Sequence, residues 1–408
     1  RQVRTDRDIW EAVLFDGQHV GYSHTAIRTT DEDLLEVQFT LALQLNRFGD
    51  ASRPTMEVTS LETATGQPRQ FSVSAMLGEQ PLRCEGKVEE GQLVLEREGV
   101  AQVQQVPLDD DVLGFWGVDA SLAQQPLEPG QTRRLRSLDP ALLTVMTHEL
   151  AAHDYEQVPL LDESQRLLRI DQVSRIPGKL ELKYRLWVDG QGQIIKRESV
   201  GLGVAQTSIV TTEGRATRLD GPGFDLGQKS VVSVAQPINN AHRLQRIRYR
   251  VRMREGNPAE AFAETALQQV RPIDDHVADI EVAAADWPAV RAALEGPASG
   301  DDQPTLGPSP PPAQPSEGGD APTSGDRAPN RLIPSDHPQI ARMAGEAAPS
   351  DASPADAALA LEKFVHRSIR QVNYKTVLGS AADVVQRMEG DCTEHAVLLA
   401  ALARARGI

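Results

Sequence analysis

A cysteine at the mouth of an apolar run sets the chemistry to be considered first. In the stretch EGDCTEHAVLLAALARARGI, Glu389 to Ile408, Cys392 stands at the polar entrance of a helix-forming segment. Asp391 and Glu394 make a D-x-x-E variant of the capping box with Asp391 as N-cap, so Cys392 is expected at the first helical position. Unpaired backbone N–H groups and the positive end of the helix dipole favour a thiolate there. The same N–H groups can hold an oxyanion. Gly390 allows a sharp turn into the helix. Ala396 to Ala403, AVLLAALA, is apolar nearly all round, so the helix is expected to be buried and to hold the thiol rigidly. The carboxylates of Asp391 and Glu394 oppose a thiolate, so a base or another cation has to assist. A cysteine that only packs would sit inside the apolar run. Residue types alone leave both roles open.

Other residues offer less. His395 follows Cys392 by three positions and shares roughly one helix face with it. It is either a substitute base or a locally bonded side chain. His366 suits a surface or packing role on the preceding helix. HELAAH, His148 to His153, imitates a zinc-protease motif but has its histidines five apart, which rotates the second by about 140° on a helix. Its surroundings, LLTVMTHEL, also read as a strand. No metal site and no cofactor are expected, and the Gly-rich runs near Gly201 and Gly221 lack the G-x-G-x-x-G spacing of a nucleotide site. Cys84, the only other cysteine, lies in a strand-like run, so the chain is not a disulfide scaffold.

The elements that must position Cys392 follow an α+β, multidomain plan. Residues 1–220 read as mostly β, either a sandwich or a partly open barrel. Hairpins are expected around Asp16-Gly17 and in LKYRLWVDGQGQIIKRESV, and PLEPGQTRRL reads as a turn-rich connection between two β layers. Residues 221–295 form a smaller unit in which RLQRIRYRVRM alternates as a half-exposed strand. Residues 296–331 are a linker: 296–330 hold nine prolines, six glycines and Leu306 as the one large aliphatic residue. Such a segment cannot bury enough apolar surface to offset its ordering entropy and is expected to be disordered. Residues 332–408 turn helical. SDHPQIARMAGEA is a short helix, and SPADAALALEKFVHRSIRQV is a stronger one with Ser353 as N-cap, Pro354 at N1 and an apolar stripe reaching Ile369 and Val372. SAADVVQRM is a third, and the Cys392 helix closes at Gly407.

The chain carries 42 basic against 58 acidic residues, net −16, which argues against a nucleic-acid partner. It has no stretch of 18 or more apolar residues, so no integral membrane span is expected. It starts at Arg1 with neither Met nor an apolar signal core, the start expected of a chain whose signal peptide has been removed.

YKTVLGSAADVVQRMEGDCTEHAVLLAALARARGI resembles the first half of a bacterial transglutaminase-like domain, a papain-like cysteine fold. The likeness rests on Tyr374, Gly390, Cys392, Arg404, Gly407 and Ile408 in that order. It covers residues 332–408 and is most specific over the last 35. An envelope-type β region and a linker ahead of it are also similar to large bacterial members, and the β region has a loose likeness to barrel-like lipoprotein domains. The resemblance implies that Cys392 is the nucleophile of a Cys–His–Asp triad, with the His and Asp on strands after the helix. The 408-residue chain is then expected to be inactive alone. The implied function is acyl transfer through a Cys thioester, as a protease, amidase or cross-linker acting on a protein or peptide. Tyr374, Gly390, Asp391 and His395 would shape the site. The expected location is the bacterial periplasm or cell envelope, with the cytoplasm as the alternative. The rival reading is a non-catalytic envelope scaffold or binding protein with a degenerate module.

Overall fold

The computed structural model describes residues 6–76, 82–98, 104–139, 144–176, 180–201, 203–219, 223–229, 231–232, 234, 236–254, 256–286, 327–330, 332–374 and 379–408. Apart from 327–330, the segment expected to be a disordered linker lies outside these residues. Contacts group the chain into two compact units. One comprises Arg1–Val231, Thr323–Asp351 and Ala357–Ile408; the other comprises Val232–Pro322 and Ala352–Asp356.

The first unit is dominated by one 15-stranded sheet. Its strands are β1 (Arg7–Phe15), β2 (Gln18–Thr29), β3 (Leu35–Leu43), β6 (Thr55–Glu62), β7 (Pro68–Met76), β8 (Leu82–Glu89), β9 (Gln92–Arg97), β10 (Gln104–Pro107), β11 (Val112–Leu113), β12 (Thr132–Asp139), β13 (Thr144–Pro159), β14 (Ser164–Ile176), β15 (Leu180–Val188), β16 (Ile194–Gly201) and β17 (Val204–Thr211). β1 is central, flanked by β2 and β17, and the edges are β10 and β11. A separate three-stranded sheet joins β4 (Leu45–Arg47), β5 (Asp50–Ser52) and β18 (Phe224–Asp225).

Strand chemistry follows the two-residue period. In β6, Val58, Ser60 and Glu62 are buried alternately; in β7, Phe71, Val73 and Ala75 are. Asp16 and Gly17 both take positive φ, as a two-residue turn between twisted strands requires. The two wings of the sheet meet in one core: Val58, Phe71, Val73, Cys84, Leu93 and Leu95 pack with Val112 and Leu138 from the opposite end. The sheet is thus a partly open barrel, not two separate layers. PLEPGQTRRL accordingly does not connect layers. It links the helix α1 (Gly117–Gln124) to β12, and its Leu127 joins Leu122, Leu150, Ile170 and Leu186 in a second core.

The buried polar side chains of the sheet include a histidine and a carboxyl. His148, on β13, has Nε2 2.8 Å from Ser137 Oγ and Nδ1 2.8 Å from Ser174 Oγ. Burial pushes its pKa down to about 4. His153, on the same strand, instead approaches Asp171 at the surface. Glu62 accepts hydrogen bonds from Ser60 Oγ and the Trp116 N–H, and burial pushes its carboxyl upward.

Among the described residues the C-terminal part holds four helices, α2 (Pro338–Ala347), α3 (Pro354–Ser368), α4 (Ala381–Arg387) and α5 (Cys392–Ala405), all in the first unit except the first three residues of α3. Ser353 Oγ accepts from the Asp356 N–H at the start of α3, as expected of an N-cap ahead of Pro354. α3 stops at Ser368, short of the expected stripe. Ile369 is still buried, but Val372 is 64 % exposed and contributes nothing to the core. α2, α4 and α5 pack together, and Ile340, Met343, Val384, Leu398 and Leu402 are buried on them. The second unit holds an antiparallel sheet of β19 (Arg246–Arg252), β20 (Gln268–Asp274) and β21 (Val277–Ala283), with β21 central. Arg246 and Arg248 pair with Glu281, and Arg250 with Asp279, so this basic strand face is balanced by the next strand.

Candidate active site

Cys392 opens α5 and is exposed. Both halves of the capping box before it are formed. Asp391 Oδ1 accepts the Thr393 N–H at 2.8 Å, and Glu394 Oε2 accepts the Asp391 N–H at 2.9 Å. The Thr393 hydroxyl adds bonds of 2.7 Å to Asp391 and 3.0 Å to Glu394. Both carboxylates are buried, at 3 % and 1 % exposure. Two buried carboxylates beside one thiol make a costly arrangement, offset in part by these donors.

Gly390 has φ +148°, and a Cβ there would lie 2.3 Å from Glu394 Cγ. Only glycine lets the chain pass this close to the capping carboxylate. At the other end Gly407 has φ +78°, as a C′ residue should.

The helix is not buried all round. Leu398, Ala401 and Leu402 are fully enclosed, Val397, Leu399, Ala400 and Ala403 are half-buried, and Ala396 is exposed. Among the described helices, α2 and α4 make the main contacts with α5 and cover one face. Rigidity at Cys392 therefore comes from that face and from the capping box.

His395 does not direct its ring freely to the thiol. Its Nδ1 lies 2.8 Å from the Asp391 carbonyl oxygen, one turn back, and donates to it. His366 is exposed on α3. Among the described residues no group of three or more His, Cys, Asp or Glu side chains could hold a metal ion. Cys84 is buried on β8.

Tyr374 is brought to the entrance of α5 by residues that the sequence does not single out. Its N–H donates to Asp50 Oδ2 at 2.9 Å, and its ring lies 4.6 Å from that of Phe48. Arg47, from the same hairpin, places its guanidinium carbon 6.0 Å from the Tyr374 ring centroid. Arg47 Nη2 also lies 2.8 Å from Asp391 Oδ2, a charge contact without the alignment of a hydrogen bond. Burial alone would raise the Asp391 carboxyl. The Thr393 N–H and hydroxyl and the Arg47 charge outweigh it, and hold Asp391 below the ordinary carboxylate value. The only hint in the sequence is the turn-forming Gly49-Asp50.

No helix of the described residues is long and apolar enough to cross a membrane. No curated protein matches the chain. Among the similar solved structures are two that cover about half of it. One is a beta-barrel-like protein of domain of unknown function DUF1849 from Brucella abortus, 8 % identical, covering 51 % of this chain and 97 % of its own, with a TM-score of 0.40. The other is a duf1089 family protein from Pseudomonas aeruginosa, 14 % identical, covering 48 % and 91 %, with a TM-score of 0.24. Likenesses at these scores carry no functional reading. The C-terminal helices are different: the sequence model of the transglutaminase-like superfamily matches residues 341–408, from within α2 through α5 and Cys392. These helices, with the capped thiol at the head of the last, are the part of the chain that matches the transglutaminase-like superfamily.

Proposed function

We propose that Cys392 is the nucleophile of a cysteine acyl-transfer enzyme. The observation that supports this best is an exposed thiol at the first position of α5, behind a closed capping box, inside the superfamily match. In this reading Cys392 Sγ attacks the carbonyl carbon of a carboxamide or peptide. The C–S bond forms, and the oxyanion that develops is met by the Cys392 N–H, which no intrahelical carbonyl can reach. Collapse breaks the C–N bond, and the amine leaves with a proton from a general acid. Water or a second amine then takes the acyl group from the thioester. Acid–base assistance contributes about 10²–10⁴-fold. The family resemblance assigns it to a His and an Asp on strands that follow the helix; His395 is already bonded to the Asp391 carbonyl. The substrate would be a protein or peptide of the periplasm or envelope.

The test compares the 408-residue chain with one extended through those strands, each with a Cys392→Ala control. Both are assayed for amine incorporation into a glutamine donor, for hydrolysis of a casein-like substrate, and for acyl adducts on Cys392 by mass spectrometry. Cys392-dependent turnover by the extended chain is expected. An extended chain with neither turnover nor adduct would leave the scaffold reading in its place. Equal Cys392-dependent turnover by both chains would put the base within the 408 residues and make His395 the first candidate.

A further inference from the structure

The β4–β5 hairpin belongs to the strand-rich part of the first unit, yet its tip ends against the N-terminus of α5. Its turn residues, Phe48 and Gly49, have φ of +51° and +93°. A bulky aromatic residue in the left-handed region is strained, and such strain persists only when the surroundings impose it. Here Asp225 imposes it, accepting the Phe48 N–H at 3.0 Å and the Gly49 N–H at 2.9 Å. The one-turn helix Leu226–Lys229 comes so close that a Cβ on Gly227 would lie 2.6 Å from the Phe48 ring. The clamped turn sends Phe48 and Asp50 to Tyr374 and Arg47 to Asp391.

The Arg47–Asp391 pair is buried on the Asp391 side and half-buried on the Arg47 side, with side-chain exposures of 1 % and 16 %. A buried ion pair is weak evidence for added stability, because desolvation cancels much of the attraction. It does change the field at its neighbours. Asp391 directly precedes Cys392, and its carboxylate opposes negative charge on the sulfur. The groups facing that carboxylate are Arg47 from the hairpin and, from its own helix, Thr393 and the Glu394 side chain, while the Asp391 backbone is bonded to Glu394 and His395. Arg47 is a cation placed on the carboxylate that precedes the thiol, one of the two kinds of assistance that the opposing carboxylates call for. The hairpin is not a plug, since Cys392 is exposed with it docked.

We propose that Arg47 is a positioning residue for the Cys392 reaction: it cancels the N-cap carboxylate and leaves the sulfur in the field of the helix N-terminus. This rests on the reading of Cys392 as nucleophile. The hairpin thereby ties the reactivity of the C-terminal module to the fold of the N-terminal strands.

The test reads alkylation of Cys392 by iodoacetamide near neutral pH in the folded 408-residue chain, with Cys84 resolved separately by peptide mass spectrometry. Arg47→Ala is expected to slow alkylation about two- to tenfold, the range for one charge at a helix N-terminus. Arg47→Lys keeps the charge and should stay within about twofold of the parent. Adding Asp391→Asn to Arg47→Ala should restore the rate, since asparagine still caps the helix but carries no charge. If Arg47→Ala fails to fold, Asp391→Asn alone decides: it should alkylate at or above the parent rate. Unchanged or faster alkylation in Arg47→Ala overturns the proposal. So does a slow Arg47→Ala that Asp391→Asn does not rescue, or a slow Asp391→Asn. The readout needs no substrate. If alkylation follows the expected order but the extended enzyme shows no Cys392-dependent turnover, the enzymatic reading fails while the effect of Arg47 on the thiol stands. The opposite pattern removes Arg47 alone.

Discussion

Replacing His148 by glutamine should change how the stability of the strand-rich region depends on pH. His148 is 6 % exposed, between two serine hydroxyls and with Gln172 close by. Burial lowers its pKa from 6.5 to about 4. The imidazole is a base with a depressed folded-state pKa, so the native protein holds it neutral while the unfolded chain protonates below pH 6.5. Its stabilising contribution is present above pH 6.5 and is lost as pH falls toward 4. The full shift corresponds to roughly 3 kcal/mol. Between pH 7 and pH 5, where the unfolded histidine takes up most of its proton, the loss is about 2 kcal/mol. Glutamine can still bond one of the two serines but does not titrate. The stability gap between parent and His148→Gln should therefore shrink by about 2 kcal/mol from pH 7 to pH 5. With an m-value of about 2 kcal/mol/M, that is a convergence of about 1 M in urea midpoint. Tryptophan fluorescence is a suitable probe, since Trp187 is buried on β15, two strands away in the same sheet. Carboxylates common to both proteins cancel in the difference. A gap of the same size at pH 5 and pH 7 would show that the imidazole is not held neutral.

Other outcomes follow from the same reasoning. Glu62 has a folded-state pKa raised above 4.5 by burial, so its favourable contribution holds below that pH and is lost as pH rises through the folded value; Glu62→Gln should raise Tm at neutral pH and leave it unchanged at pH 4 or below in scanning calorimetry. Gly390→Ala forces a Cβ against Glu394 and opens the capping box, so far-UV circular dichroism should show lost helix and Tm should fall by an amount equivalent to about 1–3 kcal/mol. Cys392, exposed at a helix N-terminus, should alkylate faster in the native chain than Cys84, which is packed among Val73, Leu93 and Leu95; a faster Cys84 would reverse the assignment of the reactive thiol.

What the sequence discloses here is local. The Asp16-Gly17 turn, the Ser353 cap and the box of Asp391 and Glu394 each depend on residues within four positions, and each forms as expected. Helix ends and buried faces depend on neighbours. Val372 continues the apolar period of α3, but the helix ends at Ser368 and nothing encloses that side chain. The apolar run of α5 shows that something must cover it, not which face is covered first. The partly open barrel is equally non-local, since Val58 and Leu138 reach one core only after all the intervening strands have paired. Arg47 and Asp50 are hidden most completely. They flank a turn between two three-residue strands and carry no period or motif that points to a cysteine at the other end of the chain.

The hydrogen bond from Tyr374 to Asp50 joins residues 324 positions apart. A ribosome makes one of them long before the other, at about 5–20 residues per second. The hairpin and its Asp225 clamp can be finished while the cysteine is still uncoded in peptide. When the last helix emerges, it meets an arginine already waiting for its N-cap. A thiol whose surroundings are completed in this order has no early window in which it is poised next to half-made protein. If Arg47 acts on the thiol as proposed, its activation is conditional on the strands synthesised first being correctly folded, so a misfolded N-terminal region would leave behind a quiet cysteine rather than an unsupervised one.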